Sequence, residues 1–192
     1  RKEIVLTGIH TGRYNDGEYN LYQLLKDLKQ IENLKTIRLS SIEMTEISDE
    51  IIDLMKQDSK IAHHLHIPIQ AASNEILKAM NRPYTLEEFK DRVNYIRSQI
   101  KDISISTDLI VGYPGESNEI FDKSLEDLKE IGFSFIHIFP YSRKKGTVAD
   151  KLDNHIDPQI KKQRVSIVSE LEKEITLNYK KSFIDKEVEV LI

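Results

Sequence analysis

The sequence predicts an α/β fold whose βα units curve into an incomplete, TIM-like barrel. Three observations point there. Short β-branched apolar runs alternate with segments whose apolar residues recur at helical spacing, each unit taking roughly thirty to forty residues, as a parallel βα repeat requires. Polar residues gather at the end of every strand-like run, and one ligand meeting all of those ends favours a curved sheet. No glycine-rich dinucleotide fingerprint and no P-loop follows the first strand, which weakens the case for an open doubly wound sheet.

In chain order, Ile4-Val5-Leu6-Thr7 reads as a strand, bounded by Gly8, Gly12 and Gly17. Leu21, Leu24, Leu25, Leu28 and Ile31 repeat at helical spacing, and Thr36–Ser40 forms a second strand. Ser48 is placed to cap a helix carrying Ile51, Ile52, Leu54 and Met55. His64–Ile69 is a third strand, followed by a short helix around Ile76, Leu77 and Met80. Thr85-Leu86-Glu87-Glu88 has the form of a capping box, in which each end residue satisfies the other's free backbone donor. Ile103–Val111 is a fourth strand, ending in Gly112-Tyr113-Pro114-Gly115. Phe121, Leu125 and Leu128 mark a helix that Gly132 closes, and Phe135–Phe139 is a fifth strand. Asp157-Pro158 opens a long helix through Ile175, and Lys186–Ile192 alternates like a strand. The expected division is a partial barrel over 1–150, a helical linker over 151–185, and the start of a β domain over 186–192.

Composition bounds the function. The 192 residues are 39% apolar and 31% charged, ordinary for a cytoplasmic globular protein, and no apolar run approaches the roughly 20 residues that span a bilayer. A net charge of −4 is not that of a dedicated nucleic-acid domain. There is no cysteine, which excludes disulfides, thiolate metal sites and cysteine nucleophiles within the chain. The chain opens abruptly on a strand, so an upstream part is expected to be missing, with exposed apolar surface where it packs.

Six motifs in order carry a resemblance: Leu6-Thr7-Gly8-Ile9-His10-Thr11-Gly12, Arg38-Leu39-Ser40-Ser41-Ile42-Glu43, His66-Ile67-Pro68-Ile69-Gln70, Met80-Asn81-Arg82, Thr107–Glu116 and Phe139-Pro140-Tyr141-Ser142. Together they resemble the radical-SAM methylthiotransferases, over nearly the whole chain. The loop Thr7–Gly12 is most similar to the branch acting on threonylcarbamoyladenosine in tRNA. The resemblance implies S-adenosylmethionine as cofactor, tRNA as partner and two [4Fe–4S] clusters in an intact parent. It places the cluster-binding Cys-x3-Cys-x2-Cys loop in a first βα unit that this chain lacks, and an RNA-binding β-barrel beyond about Lys186. No cluster is expected in the chain, which by itself should be inactive. Another methylthiotransferase substrate (isopentenyladenosine in tRNA, or a ribosomal protein) remains open, as does a cysteine-free module that binds tRNA or S-adenosylmethionine.

On that resemblance, the cofactor cradle is expected at Thr7, Gly8, His10, Ser41, Glu43, Gln70, Ser73, Arg82, Asp108, Ile110, Gly112 and Tyr141. Thr7 and Gly8 suit the methionyl end, through a hydroxyl and close backbone approach. The amide of Gln70 suits ribose or carboxylate, and Arg82 suits a carboxylate in bidentate fashion, with a structural salt bridge as its competing role. Ile110 and Gly112 would bound the adenine. Arg143, Lys144 and Lys145 are either a solvated charge run or a contact to tRNA phosphates, and Tyr14 or Tyr19 could stack on a base. His64 and His66 share a strand face, but two ligands without a third make a poor metal site, so no metal is assigned.

Overall fold

A computed structural model describes residues 1–188. Five parallel strands follow one another in space in the order they occur in the chain. β1 (Glu3–Leu6) pairs with β4 (Thr36–Leu39), and β5 (His64–His66), β6 (Ser104–Val111) and β7 (Phe135–Pro140) pair in turn. Parallel bridges Ile37–Ile61 and Ser41–His66 join the two groups into one curved surface. A doubly wound sheet would reverse its strand order at a switch point; sequential order instead belongs to a barrel. Between β1 and β4 lies a two-residue-per-strand hairpin, β2 (Asn15–Asp16) and β3 (Tyr19–Asn20), which turns at Gly17 with φ of 67° and has no counterpart in the sequence reading.

Five helices return the chain between strands, α1 (Leu21–Leu28), α2 (Asp49–Gln57), α3 (Asn74–Ala79), α4 (Leu86–Gln99) and α5 (Asn118–Ile131), and α6 (Pro158–Lys181) follows β7. Their ends are where the cap chemistry put them. Ser48 accepts from the Ile51 amide, Thr85 and Glu88 close a reciprocal capping box, Asp157 precedes Pro158, and Gly132 ends α5 at a left-handed φ of 64°. Period-two alternation sends Ile37, Leu39, Leu65, Ile105, Leu109 and Ile136 outward, where they are buried beneath the helices with Phe89 and Phe133.

The segment 151–185, expected as a linker, contains a helix that packs on the sheet: Val168 and Ile175 of α6 belong to the core, and Arg164 is buried. Arg164 donates to the carboxylate and carbonyl of Glu116 and to Asn118, tying α6 to the turn after β6. Lys186–Val188 have no regular structure, and the rest of the expected terminal strand, 189–192, lies outside the described residues. Among the described residues, no helix is long and apolar enough to cross a membrane.

Candidate functional site

The inward side of the strands is not a filled core. Val5, Arg38, Ser40, His64, His66, Ser106, Asp108, His137 and Phe139 alternate onto it and line an open cavity of about 510 Å³, with Ser41 at its rim. A closed barrel packs this space with layers of branched side chains. Here it holds a polar floor.

β5 ends at His66 rather than Ile69, because Pro68 has no amide to offer its neighbour. The buried hydroxyl of Thr107 takes over, donating to the Ile67 carbonyl and accepting from the Ile69 amide at 2.7 and 2.8 Å. Pairing resumes at Gln70, whose amide and carbonyl bond to Asp108 and Ile110. Gln70 sits at a left-handed φ of 64°, costly for a side chain with a Cβ. Among the described residues its side-chain amide makes no hydrogen bond, so it is free at the strand end.

Electrostatics on the floor centre on His64 and His66. The hydroxyl of Ser106 lies 2.9 Å from His66 Nδ1 and 3.3 Å from His64 Nε2, and His66 Nε2 lies 3.2 Å from Asp108 Oδ1. Burial, then the charges of Arg38 and His66, push the His64 imidazole down to about 4, so it is neutral at physiological pH. Its Nδ1 is buried without a hydrogen-bond partner among the described residues.

The expected cofactor residues divide. Ser41 and Asp108 meet on the concave cavity, and alternation along β6 turns Ile110 to the same side as Asp108. Thr7, Gly8 and His10 line a neighbouring cavity of about 750 Å³ at the end of β1, where Val5 and Ile9 are exposed. Glu43 and Arg82 pair with each other at 3.1 Å, the structural salt bridge weighed for Arg82, and both side chains stay partly exposed. His10 is turned to Glu46, a buried carboxylate that also pairs with Arg13, both at 2.8 Å. Gly12 allows that arrangement, since a Cβ there would come within 2.4 Å of the Glu46 Cβ.

Ser73 is not on either cavity; it caps α3, accepting from Ile76, and donates to Glu75. Gly112 is a glycine for two reasons, a φ of 78° and the side chain of Lys161, which would lie 2.3 Å from its Cβ. Lys161 also donates to the Tyr141 carbonyl, so α6 lies over the strand end that carries these two expected cradle residues. The Tyr141 ring stands between Tyr113 and His155, and its hydroxyl is buried without a partner among the described residues. Arg143, though exposed, is paired with Asp150 at 2.6 Å, whereas Lys144 and Lys145 are exposed and make no ion pair among the described residues. Tyr19 donates to Asp27, which pushes its phenol up to about 12, while Tyr14 is exposed on the 750 Å³ cavity.

Sequence reasoning missed Arg38 and His137. Strand alternation in Thr36–Leu39 and Phe135–Pro140 carries the signal, but it takes the inward face to be identified before either residue stands out.

Residues 1–128 match the family model described as the Radical SAM superfamily. Over 99% of its length the chain is 41% identical to a threonylcarbamoyladenosine tRNA methylthiotransferase of Bacillus subtilis. Over its whole length it is 42% identical to a tRNA-2-methylthio-N6-dimethylallyladenosine synthase of Thermodesulfovibrio yellowstonii. The chain spans 43% and 44% of those two proteins. Among solved structures, the coproporphyrinogen III oxidase of Escherichia coli, a radical SAM enzyme, superimposes with a TM-score of 0.58 at 20% identity, over 87% of this chain and 37% of that one.

Proposed function

The chain belongs to the radical SAM superfamily, and from that premise we propose that it forms the cofactor cradle and substrate wall of a tRNA methylthiotransferase. The substrate is N6-threonylcarbamoyladenosine next to the anticodon, and the product its 2-methylthio derivative, made in the cytoplasm.

Two relatives of nearly equal identity act on different bases by name, so similarity does not choose between them. The observation that carries the choice is the polarity of the concave floor. A dimethylallyl group is wholly apolar and would strip water from Arg38, His64, Asp108 and His137 without replacing it, which costs free energy for each unpaired group. A threonylcarbamoyl group brings a carboxylate for the Arg38 guanidinium and a hydroxyl, carbonyl and N–H for the histidines and serines.

The residues present fit S-adenosylmethionine. The exposed Thr7 hydroxyl and Gly8 backbone receive its methionyl end, the free Gln70 amide and Ser41 meet the ribose, and Ile110 offers apolar surface. When bound, S-adenosylmethionine would supply a methyl group and, on one-electron reduction by an iron–sulfur cluster that this chain's residues do not ligate, hydrogen abstraction. Without a cysteine the chain does not fit a [4Fe–4S] cluster, whose ligands are thiolates. Its own part is therefore to bind, orient and shield. Lys144 and Lys145 meet tRNA phosphates at the rim.

Equilibrium binding of the two modified nucleosides to the chain, with S-adenosylmethionine present, tests this. The threonylcarbamoyl nucleoside should bind at least about tenfold tighter, a difference of roughly 1.4 kcal/mol, and Arg38→Met should abolish the preference. Preference for the dimethylallyl nucleoside would transfer the assignment to that substrate. Failure to bind S-adenosylmethionine at all would overturn the cofactor reading.

A further inference from the structure

The registers of β5, β6 and β7 put His66 opposite Ser106 and Asp108 opposite His137. Alternation turns His66, Asp108 and His137 to the same concave face, and one donor atom from each lies within 4.8 Å of the other two. A tetrahedral ion with ligand bonds of about 2.0–2.2 Å holds its ligand atoms about 3.3 Å apart. The 3.2 Å between His66 Nε2 and Asp108 Oδ1 already meets that span. His137 is the exposed member, and its ligand atom already lies within 4.8 Å of the other two.

The surroundings hold these ligands in place. A histidine that binds a metal through one nitrogen is oriented by a partner on the other. Ser106 fills that role at His66 Nδ1, and because its hydroxyl also reaches His64 Nε2 it can accept from one ring while donating to the other. His137 lies edge-to-face against His66 and Phe135, with ring centroids 5.4 and 4.6 Å apart. A plain His66–Asp108 ion pair would give His137 no part. Arg38 shares the cavity and its charge opposes a cation, so binding should be weaker than at a structural zinc site.

We propose that His66, Asp108 and His137 form a site for a first-row divalent cation of the zinc type, with its remaining position open to the concave cavity. Two imidazoles and one carboxylate suit such an ion better than magnesium or calcium, which prefer all-oxygen shells. Three protein ligands leave room for water or a ligand oxygen, as in catalytic rather than structural sites. The site stands whichever nucleoside the cavity takes.

Cobalt(II) is the probe, added to the untagged chain near neutral pH and followed by its visible ligand-field bands. Saturable one-to-one binding with tetrahedral-type bands, displaced by zinc, is expected. His137→Ala, at an exposed position, should abolish the bands while leaving the circular dichroism of the fold unchanged, and Asp108→Asn should do the same. Ser106→Ala should weaken binding by about ten- to a hundredfold. Bands unaltered in His137→Ala, or no saturable binding by the parent chain, would overturn the proposal. Nucleoside binding measured in parallel separates this outcome from failure of the substrate reading.

Discussion

On the outward face of the sheet Ile37, Leu65, Ile105 and Ile136 meet the helices and are buried, whereas on the inward face Val5, Phe135 and Phe139 are 50%, 41% and 50% exposed. The same strands supply both faces, one residue apart. The outward face is apolar apart from Thr107, whose hydroxyl is hydrogen-bonded, and carries the stability. The inward face mixes aromatic edges with Arg38, His64, His66, Asp108 and His137, groups that a packed core would have to desolvate. One side chain per pair of residues packs into the core and the next faces the open cavity.

That division can be broken first where it is strongest. Phe89→Ala, beneath the sheet at full burial beside Tyr84 and Phe133, should cost about 3–5 kcal/mol in urea unfolding. A loss under about 1 kcal/mol would mean the outward face is not the core. Next is the pair that anchors α6. Arg164→Met leaves the Glu116 carboxylate buried beside Gly112 with only a backbone donor, and a loss of about 3 kcal/mol is expected. Burial pushes the Glu116 carboxyl up, against the pull of Arg164, so removing the arginine raises it further. Restoration of stability on acidification would show that the stranded charge, not lost packing, is the cause.

A smaller effect lies on the inward face. His64 falls from its ordinary 6.5 to about 4 on folding, so between those values the unfolded chain binds more protons than the folded one. Stability should therefore decline as pH falls through that window, by about 2 kcal/mol after allowance for solvent screening. His64→Gln should flatten this part of the profile, and an unchanged slope would remove His64 as its source. Smallest is Phe139→Ser, which should leave unfolding within about 0.5 kcal/mol of the parent while altering nucleoside binding. A large loss of stability there would erase the contrast between the faces.

The helices were readable because their signals are local. Ser48, Thr85 with Glu88, Gly132 and Asp157 act within a few residues of themselves, and each is found capping as the sequence requires. The hairpin at Gly17 escaped notice because two paired residues per strand leave no periodicity to detect. Among candidate site residues, those on strand ends were easier to find than to interpret. Glu43 and Arg82 are thirty-nine positions apart, and nothing in either motif announces that they neutralise each other. Ser73 and Gly112 stand in motifs that suggest ligand contact, and each also has a role in the fold, Ser73 as a helix cap and Gly112 in the close passage of Lys161.

The sequence by itself determined the alternation of strand and helix, the family resemblance and the absence of cluster ligands, because these reside in short-range pattern and composition. Tertiary structure decided which strand face is wet and which residues share it. His66, Asp108 and His137 come from three strands and meet only through parallel register. A lone histidine pair looked like packing along one strand. Across three strands it becomes part of a cluster, since neighbouring strands bring distant residues about 5 Å apart.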